Sequence, residues 1–247
     1  SRMAKATPLP PEFAARSVRI IRPRDGAQVY RQPGTEFARL VKAGLMLRVA
    51  RGYYAIPPSG GLVGGWLPTP ESVALAIGIA DYGRDTVALS GISAARLLGV
   101  PPRAVAAAVV SGPVRRPDLP TIAGPIAFWH RSLTGVDTQR ARTDLAAGWS
   151  TTPEQTLLDL TDRPGLAGLA PSTVTEAIWD LGQRIDWFHL HHLSETQERQ
   201  SAYARALWVC AGIAPVAAPR PTLRRPVPNK GLASWSKAES EPYGIRT

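Results

Sequence analysis

Apolar residues in the first sixty positions fall into short, separately phased runs. Phe13, Ala14 and Val18 make the apolar side of a first helix opened by Pro10-Pro11, and Ile20-Ile21 adds a short strand. Asp25 is placed to cap a second short helix, Gly26 to Arg31, after which Gln32-Pro33-Gly34 force a tight turn. Thr35 is then a suitable N-cap for a third helix that runs to Ala43 and stops at Gly44. Phe37, Leu40 and Val41 form its buried stripe, while Thr35, Glu36, Arg39 and Lys42 lie on the opposite side. Leu45 to Ala50, the pair Arg51-Gly52 and Tyr53 to Ile56 read as a β-hairpin with a basic tip.

Residues 66–214 have the pattern of a mixed α/β segment. Thr69-Pro70-Glu71 begins a helix to about Ala80, Thr86 to Leu89 is a short apolar run, and Ser90 caps a helix to Leu98. Val105 to Val110 and Ile126 to Arg131 are expected to be strands. Three helices follow near Pro153–Thr161, Ser172–Ile185 and Glu195–Ala211. In the last of them Tyr203, Leu207 and Trp208 should point inward, and Gln197 and Arg205 outward.

Composition then divides the chain. The Pro57-Pro58-Ser59-Gly60-Gly61 run and Gly64-Gly65 suit neither helix nor strand interior and read as a linker. A phosphate-cradling loop would need a Lys after such glycines, and none follows. From Pro215 to Thr247 six prolines and scattered charges make an extended tail. The expected organisation is therefore residues 8–57, 66–214 and a tail over 215–247. The longest late apolar stretch, Ala206 to Pro215, is shorter than the roughly 20 residues that a membrane helix needs. No secretion-type leader opens the chain, so a cytoplasmic location and no membrane partner are expected.

Charge follows the same division. The 247 residues carry a formal charge of +10. Residues 1–60 hold 11 basic and 3 acidic side chains, residues 61–214 hold 12 and 14, and residues 215–247 hold 6 and 2. The excess belongs to the ends, so the first 60 residues read as a basic module joined to a slightly acidic one.

Helix, short helix, turn, helix and basic hairpin within about 50 residues is the order of a winged helix-turn-helix. The fold class expected is α+β: an N-terminal winged helix-turn-helix, a mixed α/β domain and a Pro-rich C-terminal tail. A helix fits the major groove and reads base edges there, while basic groups around it neutralise phosphates. The residues expected to meet double-stranded DNA are Arg31, Gln32, Thr35, Arg39 and Lys42 from the turn and third helix, with Arg48 and Arg51 from the hairpin.

Thr35–Pro57, TEFARLVKAGLMLRVARGYYAIP, resembles the helix-and-wing segment of the AbiEi family of antitoxins. Leu89–Pro101 is similar to that family's Ser-Gly-x-Ser-Ala-Ala-x-Leu-x-Gly helix, and Thr151–Leu160 to its Thr-x-Pro-x-x-Thr-Leu-x-Asp-Leu helix. The resemblance covers about residues 20–180. It implies a DNA-binding antitoxin of a type IV toxin–antitoxin or abortive-infection operon. Such a protein represses its operon by binding promoter repeats, and its antitoxin-type domain counters a nucleotidyltransferase-type toxin without a stable complex. The acidic and Lys clusters of the endonuclease-like extension that many relatives carry are not seen here.

Other residues imitate catalytic or metal-binding patterns. Gly91-Ile92-Ser93-Ala94-Ala95 imitates a nucleophile elbow, and Asp159 followed by His189 or His191 satisfies the order of a hydrolase triad. Ala95 stands where that motif needs Gly, so a close-packed helix start is favoured. His189-Leu190-His191-His192, with Glu195 and Glu198 near, lacks the spacing of a metalloprotease site and reads as a solvated helix end. Arg115-Arg116 and Arg140-Ala141-Arg142 could touch phosphate, but in a net acidic segment they read as ordinary loop charges. Cys210, the single cysteine, is expected to be buried and inert. The reading is a repressor and antitoxin, not an enzyme, with no cofactor and no metal. The alternatives are a transcription regulator whose middle domain binds a ligand or partner, and a hydrolase or nuclease with a DNA-binding head.

Overall fold

Thr69 and Pro70 start the helix around which the chain assembles. Thr69 Oγ1 accepts from the Ser72 N–H, and Pro70, with φ preset and no N–H to waste, occupies the first turn. This helix, α3 (Pro70–Tyr82), is buried continuously from Glu71 to Ile79. The computed structural model describes residues 9–58, 65–101 and 104–211. The linker reading for 57–65 falls mainly outside the described residues, and the tail reading for 215–247 lies wholly outside them.

The described chain is a mixed α+β structure with eight α-helices and two sheets. The first part contains α1 (Pro11–Ala14), β1 (Ile20–Ile21), a 3-10 turn (Pro23–Gly26), α2 (Pro33–Lys42), β2 (Leu47–Ala50) and β3 (Tyr53–Ala55). Its three strands pair antiparallel in the order β1-β3-β2. The second part runs through β4 (Ala88–Leu89), α4 (Gly91–Leu97), β5 (Ala108–Gly112), β6 (Ile126–His130), β7 (Thr138–Arg142) and β8 (Ala147–Thr151). Four helices follow: α5 (Pro153–Asp162), α6 (Pro171–Gly182), α7 (Trp187–Thr196) and α8 (Gln200–Ala211). The five-stranded sheet has the order β6-β5-β4-β8-β7.

Both faces of that sheet are covered, as strand alternation requires. Val109, Ala127 and Trp129 face a core shared with α4 to α8, while Ala108, Val110 and Ile126 face α3. The α3 core continues into Ile20, Val49, Ala50, Tyr53 and Ala55 of the first sheet. Backbone bonds join the same surfaces: Arg19 N–H to the Leu145 carbonyl at 2.8 Å, and Ile122 N–H to the Val49 carbonyl at 2.9 Å. Residues on either side of 59–64 thus share one hydrophobic core. A smaller cluster, Phe13, Ile21, Phe37, Leu40, Met46 and Ile56, fills the N-terminal part.

Several elements differ from the sequence reading. The second short helix is the 3-10 turn Pro23–Gly26, which contains Asp25 rather than following it. Pro23 presets the turn, and the Asp25 carboxylate accepts the Arg22 N–H at 2.9 Å, so it closes this turn instead of capping Gly26–Arg31. Thr35 is not an N-cap. Gln32 holds that position because Pro33 takes the first helical place. The first helix ends at Ala14, which is exposed, and Val18 packs in the α3 core instead. The expected strand Val105–Val110 is shifted to 108–112, where Ala108 pairs with Ile126.

The expected helix Glu195–Ala211 is two helices. Asp186 caps α7 by accepting the Phe188 and His189 N–H groups. The chain then breaks at Glu198, whose φ is +56°, before α8. The His189–His192 run is therefore inside a helix, not at its end. Trp208 does not point inward but is 55% exposed. Gln197 is half-buried and bonded to Gln155 rather than turned outward. Strands β7 and β8 carry no apolar alternation. At Gly148 a Cβ would come within 2.9 Å of Ile79 and 3.1 Å of Leu75, so close packing against α3 demands a small residue there. No helix among the described residues is long and apolar enough to cross a membrane.

His189 gives the fold a pH dependence. Its Nε2 lies 2.8 Å from Asp137 Oδ2, which also accepts the Thr152 hydroxyl at 2.9 Å. The hydrogen bond to Asp137 raises the imidazole pKa above its usual 6.5. A raised pKa means that the folded state holds the proton more tightly. The gain is complete below the unfolded pKa and is lost as pH rises through the folded one. Urea midpoints should therefore fall on going from pH 6 to pH 8, and H189A should flatten that fall. An unchanged slope in the variant would refute the pairing.

Candidate nucleic-acid interface

Helix α2 is held from beneath by an aromatic cluster. The Phe37 ring meets Phe13 at 5.8 Å, Tyr54 at 5.1 Å and Tyr30 at 6.4 Å, each edge-on. Gly26 allows the preceding turn to press against this ring: a Cβ there would sit 2.8 Å from Phe37 Cζ. Phe37 and Leu40 are fully buried, so the helix has one possible inward side.

The outward side carries the expected residues. Thr35, Arg39 and Lys42, at i, i+4 and i+7, are all exposed on α2, and Arg31 and Gln32 are exposed just before it. Arg48 is exposed on β2 and pairs in register with Tyr54. Arg51 is exposed in the β2–β3 turn, beside Gly52, whose φ of +80° suits glycine. From residue 31 to 54 five cationic side chains face one carboxylate, that of Glu36. Glu36 accepts from Arg39 Nη2 at 2.7 Å and from Nε at 2.9 Å, so part of the Arg39 charge is already balanced.

The sequence did not reveal what holds the hairpin in place. Asp81, at the end of α3 and 6% exposed, takes Arg22 at 2.7 Å, Arg116 at 3.0 Å and Arg24 at 3.7 Å. It also accepts the Tyr53 hydroxyl of β3 at 2.6 Å. Burial, and then this bond to Asp81, push the Tyr53 phenol pKa up. One carboxylate therefore links strand β3, the 3-10 turn and α3. Arg115-Arg116 reads as loop charge in the sequence, yet Arg116 is half-buried in this group and lies 4.2 Å over the Phe128 ring.

The residues suggestive of catalysis are dispersed. Ser93 is fully buried, and its hydroxyl accepts the Val109 N–H at 2.8 Å. Asp159 receives both terminal nitrogens of Arg131, at 2.8 and 2.6 Å, and Arg199 at 3.2 Å. His189 is engaged by Asp137, and His191 lies 3.6 Å from Glu195. The three triad candidates thus bond to three different partners. Ser90 occupies the N-cap position of α4, but its hydroxyl pairs with Ser111 Oγ at 2.7 Å and accepts from Arg131 at 3.0 Å. Cys210 is half-buried and its thiol donates to the Ile178 carbonyl; burial lifts its pKa to about 11.

No protein-family model and no curated protein matches this sequence. Among solved structures, the chain is similar to the RV2827C protein from Mycobacterium tuberculosis, with a TM-score of 0.53 and 19% identity over 86% of this chain and 81% of that one. At that identity the likeness concerns the fold alone, a mixed α+β arrangement of comparable extent.

Proposed function

We propose that the chain is a DNA-binding repressor in which residues 8–57 act as a winged helix. The observation that carries this reading is the arrangement around α2. Its apolar side is locked into the Phe13–Phe37–Tyr54 cluster, and Thr35, Arg39 and Lys42 face solvent on the other. The β1-β3-β2 sheet then delivers Arg48 and Arg51 on the following hairpin. A helix about 10–12 Å across fits a groove about 12 Å wide, and the flanking arginines suit phosphate. Gln32 and Thr35 are the groups able to address base edges; the cations supply affinity.

Through the resemblance in Thr35–Pro57, Leu89–Pro101 and Thr151–Leu160, the finer reading is an AbiEi-type antitoxin acting in the cytoplasm. It would bind promoter repeats of its own operon and counter a nucleotidyltransferase-type toxin without a stable complex.

The test is binding to a duplex that carries the region upstream of its own gene. Replacing Arg39 and Arg51 together with Ala should weaken binding and flatten its salt dependence, with the circular dichroism spectrum unchanged. Unaltered affinity and salt slope would overturn the reading. Rescue of growth on co-expression with a nucleotidyltransferase encoded beside it tests the antitoxin role separately.

A further inference from the structure

Strand β7, whose arginines read as loop charges in the sequence, is one of the two edge strands of the five-stranded sheet. Arg140 and Arg142 stand two residues apart on it, hence on one face and roughly 7 Å apart along the strand. Arg84, from the turn that follows α3, lines the same cleft of about 410 Å³. Ala147 and Gly148 also line it, and Trp149 stands at its side. The indole is fixed, since its Nε1–H donates to Asp85 Oδ1 at 3.2 Å, and the Arg140 guanidinium lies 5.3 Å from its ring. All three arginines are exposed, and none has an ion-pair partner among the described residues. In a segment whose other charges are slightly acidic, three arginines converge on one opening against a single lining carboxylate, that of Asp85.

We propose that this cleft is a second DNA contact, which takes the sugar-phosphate backbone of the duplex beyond the part held by α2 and the hairpin. For its ligand it rests on the DNA-binding reading above; its geometry is independent of that reading. The spacing of Arg140 and Arg142 is of the order of that between successive phosphates along one strand, and small residues beside them admit a bulky backbone. The cleft also adjoins the N-terminal part of the chain. Arg84 reaches the Ser17 hydroxyl at 3.5 Å, and the Leu145 carbonyl in the β7–β8 turn accepts the Arg19 N–H. Charges on an edge strand also discourage pairing with another chain. That role needs neither a third arginine brought from another element nor an indole held by a carboxylate.

The experiment uses the full chain and a fluorescein-labelled, mixed-sequence duplex of about 40 base pairs, read by anisotropy across a salt series. The R140A/R142A variant should lower the salt slope by about 1.8, or about 0.9 for each lost phosphate contact. R140K/R142K, which keeps the charge, should restore most of it. A slope in R140A/R142A equal to that of the parent, while R39A/R51A lowers it, overturns this inference and leaves the α2 reading intact. The reverse pattern supports the cleft and overturns the α2 reading. Polyglutamate added at equal charge should not displace the duplex from R39A/R51A. Displacement would mean that the cleft takes acidic protein, and would overturn its assignment to DNA.

Discussion

Asp159→Ala should lower the stability of the folded chain by about 3–5 kcal/mol, the usual cost of removing one partner from a buried ion pair. Asp159 is fully buried on α5, and the Arg131 side chain is only 9% exposed. The carboxylate accepts two bonds from Arg131, one from Arg199 at 3.2 Å and one from Gln155 at 3.0 Å. Arg131 in turn donates to Ser111 and Ser90 and stacks 3.9 Å from the Trp129 ring. Without Asp159, Arg131 keeps hydroxyl partners but loses its counter-charge away from water. Urea unfolding followed by tryptophan fluorescence should show the midpoint falling with little change in slope. R131M/D159L removes both charges together and should recover most of the loss. A loss below about 1 kcal/mol in D159A would mean that the pair does not hold the sheet to α5 and α8.

On the proposed DNA-binding reading, replacing Arg31, Arg48 and Arg51 together with Ala should reduce the salt slope by about 2.7, for three phosphate contacts at about 0.9 each. These three are exposed, and none has an ion-pair partner among the described residues, so each charge is available to phosphate. Folding should be nearly unaffected, because no core residue is touched. Arg39 differs, since Glu36 already holds it at 2.7 Å. Glu36→Gln should therefore tighten binding while the helix persists. Weaker binding in E36Q would show that this pair orients Arg39 for its contact. A slope that does not move in the triple variant would exclude α2 and the hairpin as the DNA surface.

Two of the quoted motifs, Leu89–Pro101 and Thr151–Leu160, prove to be packing motifs. In Leu89–Pro101, Ser90 serves Arg131 and Ser93 satisfies the Val109 N–H. In Thr151–Leu160, Thr152 caps α5, Thr151 and Thr156 share a hydroxyl bond at 2.7 Å, and Asp159 anchors Arg131. All but the half-buried Thr152 are buried polar groups matched to another, as low-dielectric surroundings require. Their resemblance to catalytic spacing came from the same residue types serving structural ends.

The sequence by itself determined the local elements. Prolines at first helical positions, Thr69 and Thr152 as caps, the Phe37–Leu40–Val41 stripe and the Arg51-Gly52 turn are decided by residues within one or two turns of each other. It also placed the basic excess on the first 60 residues. Tertiary structure alone decided what depends on distant partners. Ala147–Thr151 is a strand because β4 and β7 flank it, and Thr138–Arg142 because β8 pairs with it. Asp81 gathers Arg22 and Arg24, Tyr53, and Arg116 from three separate stretches. Arg84 meets Arg140 and Arg142 across more than fifty residues of chain. Local propensity carries no record of such meetings. Burial and ion pairing are properties of the folded neighbourhood, and they turned charges that read as loops into a latch and a cleft.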